Sequence, residues 1–330
     1  MGIKLGGKLG RLLLQAICKR PPDDLKPTWA LDLQLAVELD PSGIPKLQRR
    51  LGVGIWDELR DRSVLDFGCG WGEDAVAAAV RGARLVIGVD VQEHRLEAGR
   101  ALAAAKGVSD RCLFINAHTQ AAELASLPMV DVVYALDSFE HFDDPKGVLS
   151  QMYGLLAPGG RLLVVFGPPW KNPYGSHLEM MSSVPWIHLL FTEETVMAMR
   201  ARFRADGART YAECPGGLNG MTVRRFHELV IESGFQIEHL RTVPLSTAYT
   251  NSTGLWMRIF RTRWLVEYCT SIVIARAIRP FDEPTDPCPK PTTTDTKAEI
   301  EGATAHAICS ASAAQYPRQD PQLQAPSALA

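Results

Sequence analysis

The sequence predicts an α/β domain built on a parallel sheet with helices on both faces. Apolar runs alternate with helix-like segments from about residue 55 to 167, and a glycine turn follows the first run. Continuous apolar runs between helices are typical of strands buried on both faces of a parallel sheet. The predicted strands lie near 63–67, 85–89, 112–115, 130–135 and 160–166, with helices near 73–81, 94–106, 119–126 and 146–156.

The turn after the first strand is the strongest candidate for a ligand site. Gly68-Cys69-Gly70-Trp71-Gly72 separates the apolar run 64–67 from the next helix, and Asp90 ends the second run. Glycines allow positive φ and close approach of the backbone to a ligand, and the helix N-terminus offers unpaired N–H groups. An acid at the end of the second strand can accept hydrogen bonds from both ribose hydroxyls of a nucleoside.

Three motifs carry a family resemblance. V-L-D-F-G-C-G-W-G followed by V-I-G-V-D resembles motif I and the acidic position after it in class I S-adenosylmethionine-dependent methyltransferases. The segment 131–145, with its Glu-His and Asp-Pro pairs, resembles the fourth-strand motif of the small-molecule, methyltransferase type 11-like branch. The segment 155–162 resembles the L-x-P-G-G turn before the fifth strand.

This resemblance implies a Rossmann-like seven-stranded sheet, parallel with one antiparallel strand, and S-adenosyl-L-methionine as cofactor. Strands near 235–243 and 271–275 would form the terminal antiparallel pair. The glycine spacing, G-x-G-x-G, disfavours the remaining alternative of a nicotinamide-dependent dehydrogenase. The cofactor residues implied are Asp66, Phe67, Gly68, Cys69, Gly70, Gly72, Asp90 and Val91.

The chain is expected to have three parts: a helical extension over 1–50, the methyltransferase domain over 51–280 and a disordered tail over 281–330. Within the domain, several aromatic residues and the prolines Pro168, Pro169, Pro173 and Pro185 interrupt the strand–helix rhythm over 168–215, where a helix is expected near 192–204. A long insertion after the fifth strand lies at the active-site edge and indicates a cap over the acceptor. Three of its aromatic residues either line the acceptor pocket or pack internally: Trp170, Trp186 and Phe191. Tyr174 either donates a hydrogen bond to the acceptor or is a satisfied cap residue.

Methyl transfer from a sulfonium depends mainly on alignment, because the methyl group is already activated. An oxygen or nitrogen nucleophile can also need a base. His141, next to Glu140 after the fourth strand, is the first candidate for that base, and His177 in the cap is the second. The alternatives are that Glu140 and His141 hold the loop or the cofactor edge by hydrogen bonds, and that His177 is a satisfied cap residue.

The predicted function is methyl transfer to a small-molecule, lipid-linked or glycan acceptor. Oxygen is favoured as the methylated atom by resemblance to quinone-type and natural-product O-methyltransferases. One alternative is a non-catalytic module that binds S-adenosylmethionine or a partner. A nucleic-acid methyltransferase is the less favoured alternative, because Gly167-Pro168-Pro169-Trp170 has glycine where the amino-methyltransferase motif has a polar residue, and it follows the fifth strand rather than the fourth.

Composition limits the classes of partner molecule and the cell compartment that are expected for this protein. A net charge of −2 argues against a general nucleic-acid-binding surface. Seven scattered cysteines without C-x-x-C or metal-ligand spacing indicate reduced thiols, a cytoplasmic location and no metal. Residues 1–20 are basic, with leucines at helical spacing, which predicts either a weak membrane-surface contact or a helix packed on the domain. The oligomeric state is left open.

Overall fold

The computed structural model describes residues 4–21, 43–178, 181–214, 216–245 and 265–281. Its centre is one seven-stranded sheet in the order β3-β2-β1-β4-β5-β7-β6. Only β7 runs antiparallel to its neighbours, so the predicted sheet with one antiparallel strand is confirmed. The strands are β1 Ser63–Phe67, β2 Leu85–Asp90, β3 Cys112–Asn116, β4 Val130–Leu136, β5 Leu156–Phe166, β6 Gln236–Pro244 and β7 Thr270–Ile278.

Helices cover both faces of the sheet. They are α1 Gly7–Ile17, α2 Lys46–Leu51, α3 Ile55–Leu59, α4 Glu73–Val80, α5 Glu93–Ala105, α6 Ala121–Ala125, α7 Pro145–Leu155, α8 Ile187–Leu190, α9 Glu193–Arg200, α10 Val223–Glu232 and α11 Val266–Cys269, with short 3₁₀ turns at Ser109–Arg111 and Phe139–His141. On one face, buried side chains of α7 and α10, such as Met152 and Phe226, pack on the sheet. On the other face, α3, α4 and α5 contribute residues such as Trp56, Ala79 and Leu96.

Local sequence signals fix where several of these elements begin. Asp144 caps α7 by accepting a 3.0 Å hydrogen bond from the Gly147 N–H, and Pro145 stands at the first helical position. Thr222 caps α10 in the same way, with the Arg225 N–H 3.1 Å from its hydroxyl. The fifth strand begins earlier than expected, because the predicted turn at 157–160 forms a bulge inside it: Val130 pairs with Leu156, and Val132 pairs with Arg161.

The insertion between β5 and α10 has a hydrophobic cluster of its own. This cluster includes Leu178 and Phe191 together with Leu14 of α1. The helix expected over 192–204 ends at Arg200, where Arg200 and Asp206 form a buried ion pair with a 2.6 Å hydrogen bond that ties the following loop to the helix end. The amino-terminal helix α1 packs on α9, and Leu5 forms a β-bridge with Phe191.

One expectation, the disordered tail, concerns residues that lie mostly outside the described part of the chain. The tail predicted to be disordered, 281–330, lies outside the described residues except for Phe281. Across the described ranges, no helix combines the length and apolarity needed to cross a membrane.

Candidate active site

The glycine turn is held at the edge where β1, β2 and β4 end. The N–H groups of Gly68 and Cys69 both donate to the Val89 carbonyl oxygen, at 2.7 and 2.9 Å. The Ser138 hydroxyl, just beyond β4, donates to the Phe67 carbonyl oxygen at 3.1 Å. The turn therefore has a fixed position at the carboxyl edge of the sheet, where ligands bind in this architecture.

The three glycines of the turn have different surroundings. A Cβ atom at Gly68 would lie 2.6 Å from the Ser138 Cβ, and one at Gly72 would lie 2.7 Å from the Phe114 ring. Gly70 has a φ of +54°, and no protein atom lies within 4 Å of the position its Cβ would take. Gly68 and Gly72 are therefore needed for packing, whereas Gly70 borders open space in which a ligand can approach the backbone.

The Asp90 carboxylate holds this turn by hydrogen bonds and can accept further hydrogen bonds from a ligand. Its Oδ2 accepts a 2.9 Å bond from the Gly70 N–H, and its Oδ1 accepts a 2.9 Å bond from the Gln92 N–H. A carboxylate has about four lone-pair sites, so roughly two remain for the hydroxyls of a ribose. Val91, the next residue, is half exposed and lies beside the same space along the chain.

Asp66 lies beneath the turn rather than at its surface. Its side chain belongs to β1 and is only 3% exposed. Burial raises the pKa of this carboxyl group well above its usual range, and the charge of Asp74 raises it further, while the Tyr134 hydroxyl and the charge of Lys46 lower it. The Tyr134 hydroxyl faces the carboxyl group without a hydrogen bond of standard geometry. Asp66 thus lies in the core beneath the turn and does not present an exposed negative charge to a ligand.

An ion pair that the sequence interpretation missed lies beside the turn. Arg50 of α2 contacts Asp137, with its Nη2 3.0 Å from the Asp137 Oδ2. Asp137 follows β4 and immediately precedes Ser138, whose side chain touches Gly68. The helix α2 is itself fixed there, because the Leu47 N–H donates to the Asp74 carboxylate at 2.7 Å. A neighbouring cation and anion match the carboxylate and ammonium groups of an amino-acid zwitterion.

His141 and His177 meet at the same edge. Their ring centroids are 5.6 Å apart, and the rings are nearly perpendicular. The His141 Nδ1 lies 2.7 Å from the Gly217 carbonyl oxygen, which can only accept a hydrogen bond. Nδ1 therefore carries the proton, and Nε2 keeps the lone pair that a base requires.

His177 is held neutral. Burial lowers its pKa from 6.5 to about 4, and a positive charge on His141 or His188 would act in the same direction. Its Nε2 is buried without a hydrogen-bond partner, and its backbone has a φ of +53°. A left-handed conformation and an unpaired buried nitrogen each cost free energy. The packing of the insertion explains neither of them.

Glu140 connects the turn after β4 to both ends of the insertion. Its Oε1 accepts a 3.0 Å bond from the Gly167 N–H, and its carbonyl oxygen accepts a 3.0 Å bond from the Asn219 N–H. The Asn219 side chain in turn donates to the carbonyl oxygens of Phe139 and Phe142. Burial raises the pKa of Glu140, although the charge of His141 opposes this. These contacts support the holding role rather than proton transfer by Glu140.

The aromatic residues of the insertion mainly contact one another and the backbone. Phe191 is buried in the cluster that contains α1. The Trp186 Nε1 donates to the Lys171 carbonyl oxygen at 3.0 Å, and the Tyr174 hydroxyl donates to that of Ser183 at 3.3 Å. Trp170 packs edge-on against His188 and Tyr211, at centroid distances of 4.7 and 4.9 Å. These contacts favour internal packing for Trp170, Trp186 and Phe191, and they give the Tyr174 hydroxyl a partner within the insertion.

The motif region of the chain matches a known domain family. Residues 64–160 match the family model described as a methyltransferase domain. This chain contains a class I S-adenosylmethionine-dependent methyltransferase domain. The match begins in β1 and ends inside β5, and it therefore includes the glycine turn, Asp90 and the Glu140–His141 pair.

Two curated relatives of the methyltransferase domain are O-methyltransferases or act at a named oxygen position. The ubiquinone biosynthesis O-methyltransferase of Neisseria meningitidis serogroup C (strain 053442) is 33% identical over 133 residues, which are 39% of this chain and 53% of that protein. The 27-O-demethylrifamycin SV methyltransferase of Amycolatopsis mediterranei (strain S699) is 36% identical over 103 residues, 30% of this chain and 36% of that protein. The chain thus spans about half the length, or less, of these relatives.

Solved structures with a similar methyltransferase domain are more distant in sequence. An S-adenosylmethionine-dependent methyltransferase from Mesorhizobium loti is 19% identical, with a TM-score of 0.43 over 67% of this chain and 93% of that chain. The magnesium protoporphyrin IX methyltransferase from Synechocystis PCC 6803 is 18% identical, with a TM-score of 0.43 over 74% of this chain and 94% of that chain.

The residues present fit the cofactor of this family, S-adenosylmethionine. Gly70 offers backbone next to open space, Asp90 has acceptor capacity for the ribose, and Arg50 with Asp137 matches the charges of the methionine part. The predicted neighbours Phe67, Gly68, Cys69, Gly72 and Val91 build or border the turn.

Proposed function

We propose that this protein transfers a methyl group from S-adenosylmethionine to an oxygen atom of a small-molecule acceptor. One arrangement carries the proposal: open space at Gly70, beside the Asp90 carboxylate, lies on the same sheet edge as His141, whose Nδ1 rather than Nε2 contacts the Gly217 carbonyl oxygen. The bound cofactor supplies an activated methyl group on a sulfonium. The chain supplies alignment and a group that can take the hydroxyl proton.

His141 is the base in this proposal. Its Nδ1 is tied to the Gly217 carbonyl oxygen, which orients the ring and leaves Nε2 free to accept a proton. His177 packs against it and, because its pKa is lowered to about 4, carries no positive charge at neutral pH. Glu140 positions the turn through the Gly167 N–H.

The acceptor class is the finer part of the proposal. The names of the two relatives, one in ubiquinone biosynthesis and one acting on a rifamycin, support a small organic acceptor methylated at oxygen. Lipid-linked molecules and glycans are more specific candidates for the acceptor, and no nucleic-acid partner is proposed. The segment 168–215 is proposed to cover the acceptor, within a domain over 51–280 that follows a helical extension over 1–50. A cytoplasmic location with peripheral membrane contact completes the proposal.

A binding measurement separates this function from the alternatives. Calorimetry should show S-adenosylhomocysteine binding and no binding of NADH. A screen of hydroxylated aromatic and polyketide acceptors with radiolabelled S-adenosylmethionine should then give methylated product. Binding without transfer to any acceptor in such a screen would favour the non-catalytic module.

Two matched variants test the base. His141→Ala should lower kcat by about 10²–10⁴ and change S-adenosylhomocysteine affinity little, since a positioned base contributes in that range. His177→Ala is the comparison under identical conditions. A large loss at His177 with a small one at His141 would transfer the role, and small losses at both would leave alignment alone as the source of catalysis.

Hydrogen exchange tests the proposed cap. Amides in 168–215 should become more protected when cofactor and acceptor bind together, because closure of a cap reduces local opening. Protection that rises elsewhere and not in this segment would contradict the assignment.

A further inference from the structure

The helix α1 is fixed to the insertion by one of its sides. Leu14 is fully buried in the cluster that also contains Leu178, the residue after His177. Backbone contacts hold both ends of the helix: the Leu5 N–H donates to the Leu190 carbonyl oxygen at 2.8 Å, and the Lys19 N–H donates to that of Met181 at 2.8 Å. α1 is therefore part of the same packed body as the segment that carries His177.

A second side of α1 is apolar and uncovered. Leu9, Leu12 and Leu13 are 63%, 67% and 43% exposed. Residues three and four positions apart share one side of a helix, so these leucines form a continuous apolar strip. Leu5, Ile17 and Leu190 extend it. We call these six residues the α1 apolar face; they make up six of the fifteen large apolar side chains that are exposed in the described part of the chain.

Basic residues flank this face. Lys8 and Arg11 lie three positions apart on a separate side of α1, Lys19 follows the end of the helix, and residues 1–20 contain no Asp or Glu. Lys4 and Arg20 add positive charge at the two ends of the helix. Within residues 4–20, the uncovered side of α1 thus combines leucines with basic residues and no acidic ones.

The leucines and basic residues of this surface indicate what kind of partner it binds. A helix that presents leucines beside a row of Lys and Arg matches the boundary between acyl chains and anionic headgroups. A second copy of the chain would bring the same positive charges into contact, and like charges at an interface are costly. An anionic lipid bilayer satisfies both the apolar strip and the basic border.

We propose that the α1 apolar face docks this protein on anionic lipid bilayers and thereby brings the insertion to the membrane surface. α1 and the segment next to His177 share one hydrophobic cluster, so docking places the methyl-transfer edge close to lipid. The acceptor is then an amphiphile that enters from the bilayer. This statement about the acceptor rests on the proposed methyltransferase function, whereas the docking itself does not.

Vesicle binding tests the docking. The full chain should co-sediment with vesicles made of equal parts phosphatidylcholine and phosphatidylglycerol, and much less with phosphatidylcholine alone. Leu9→Gln with Leu12→Gln should weaken binding about tenfold or more, because two apolar anchors are lost. Lys8→Glu with Arg11→Glu should weaken it to a similar degree and abolish its dependence on ionic strength.

Matched controls separate this face from general surface effects. Val80→Gln with Ile231→Gln changes two similarly exposed apolar side chains on other helices, and Lys106→Glu with Arg224→Glu reverses two exposed charges elsewhere. Both control proteins should bind vesicles like the wild type. All four variants should keep the wild-type melting temperature, since none of the changed side chains is buried.

Three results would overturn the docking: equal vesicle binding by wild type and the Leu9/Leu12 variant, equal binding to neutral and anionic vesicles, or a dimer in sedimentation velocity that the Leu9/Leu12 variant dissociates while vesicles capture nothing. S-adenosylhomocysteine affinity is measured in parallel without vesicles. Its absence in the wild type would refute the proposed function and leave the docking result standing, so the two failures are distinguishable.

Discussion

Replacing Asp90 with alanine should separate the cofactor site from the rest of the fold. The Asp90 carboxylate accepts one hydrogen bond from Gly70 and one from Gln92, both at 2.9 Å, and has capacity for two more. Hydrogen bonds to charged groups each contribute about 1.5–3 kcal/mol. Loss of the ribose contact alone should therefore weaken S-adenosylhomocysteine by roughly 10- to 150-fold, at about 1.4 kcal/mol per factor of ten.

The same variant should also lose stability without ligand. Both N–H donors become accessible to water when the carboxylate is removed, so the net cost should be roughly 1–2 kcal/mol rather than the full value of two bonds. For a domain of this size that corresponds to a decrease in melting temperature of about 2–8 °C. Asp90→Asn retains one acceptor oxygen and should lie between wild type and Asp90→Ala in both measurements.

Isothermal titration calorimetry and differential scanning calorimetry test these values. Asp57→Ala, at an exposed site on α3, serves as the control and should match the wild type in both. Wild-type affinity in Asp90→Ala would refute the assignment of the β2 end to the ribose. A loss of affinity without any loss of stability would refute the view that Asp90 also holds the glycine turn.

Three further predictions follow from the site. Gly70→Val should abolish S-adenosylhomocysteine binding, because the new side chain fills the ligand space and strains the turn locally at a φ of +54°. Circular dichroism should stay close to native, since no atom of the described residues beyond the chain neighbours lies within 4 Å of the added Cβ; normal binding would make this glycine purely structural. Arg50→Gln should weaken S-adenosylhomocysteine about tenfold or more by removing the partner of a carboxylate, with Arg49→Gln, at an exposed position of the same helix, as the calorimetric control. Burial lowers the folded pKa of His177 from 6.5 to about 4, so the stability linked to it is complete above pH 6.5 and is lost as pH falls toward 4, by about 3 kcal/mol. Burial lowers the pKa of His188 to about 4 as well, so urea unfolding at both ends of this range should show a loss about 3 kcal/mol smaller in His177→Asn than in wild type; equal losses in the two proteins would show that His177 does not contribute.

Much of the fold could be predicted from the sequence because its signals are local. The central parallel strands β1, β2 and β4 consist mainly of apolar residues, and the glycine turn, the Asp144 cap and the Thr222 cap mark neighbouring boundaries. The early start of β5 could not be predicted, since the L-x-P-G-G segment contains turn residues that the sheet accommodates as a bulge between Leu156 and Arg161.

The site was only partly predictable, because only some of its residues belong to local sequence motifs. Residues that share a motif, such as Gly70 and Asp90, are recognisable from their spacing. Arg50 is not, because its role depends on α2 lying over the sheet edge, which is decided by the contact of Leu47 with Asp74. The different surroundings of Gly68, Gly70 and Gly72 likewise depend on side chains from β3 and from the segment after β4.

The connections made by Glu140 and Asn219 have a consequence for how acceptor preference can change. Gly167 and Asn219, at the two ends of the insertion, are bonded to the same short turn, so the chain between them leaves the domain and returns to it at one place. A loop with both ends fixed pays little additional closure entropy when its length changes. The part of the segment that precedes Gly217 can therefore change in length while the Gly217 carbonyl oxygen and the turn that carries His141 keep their positions.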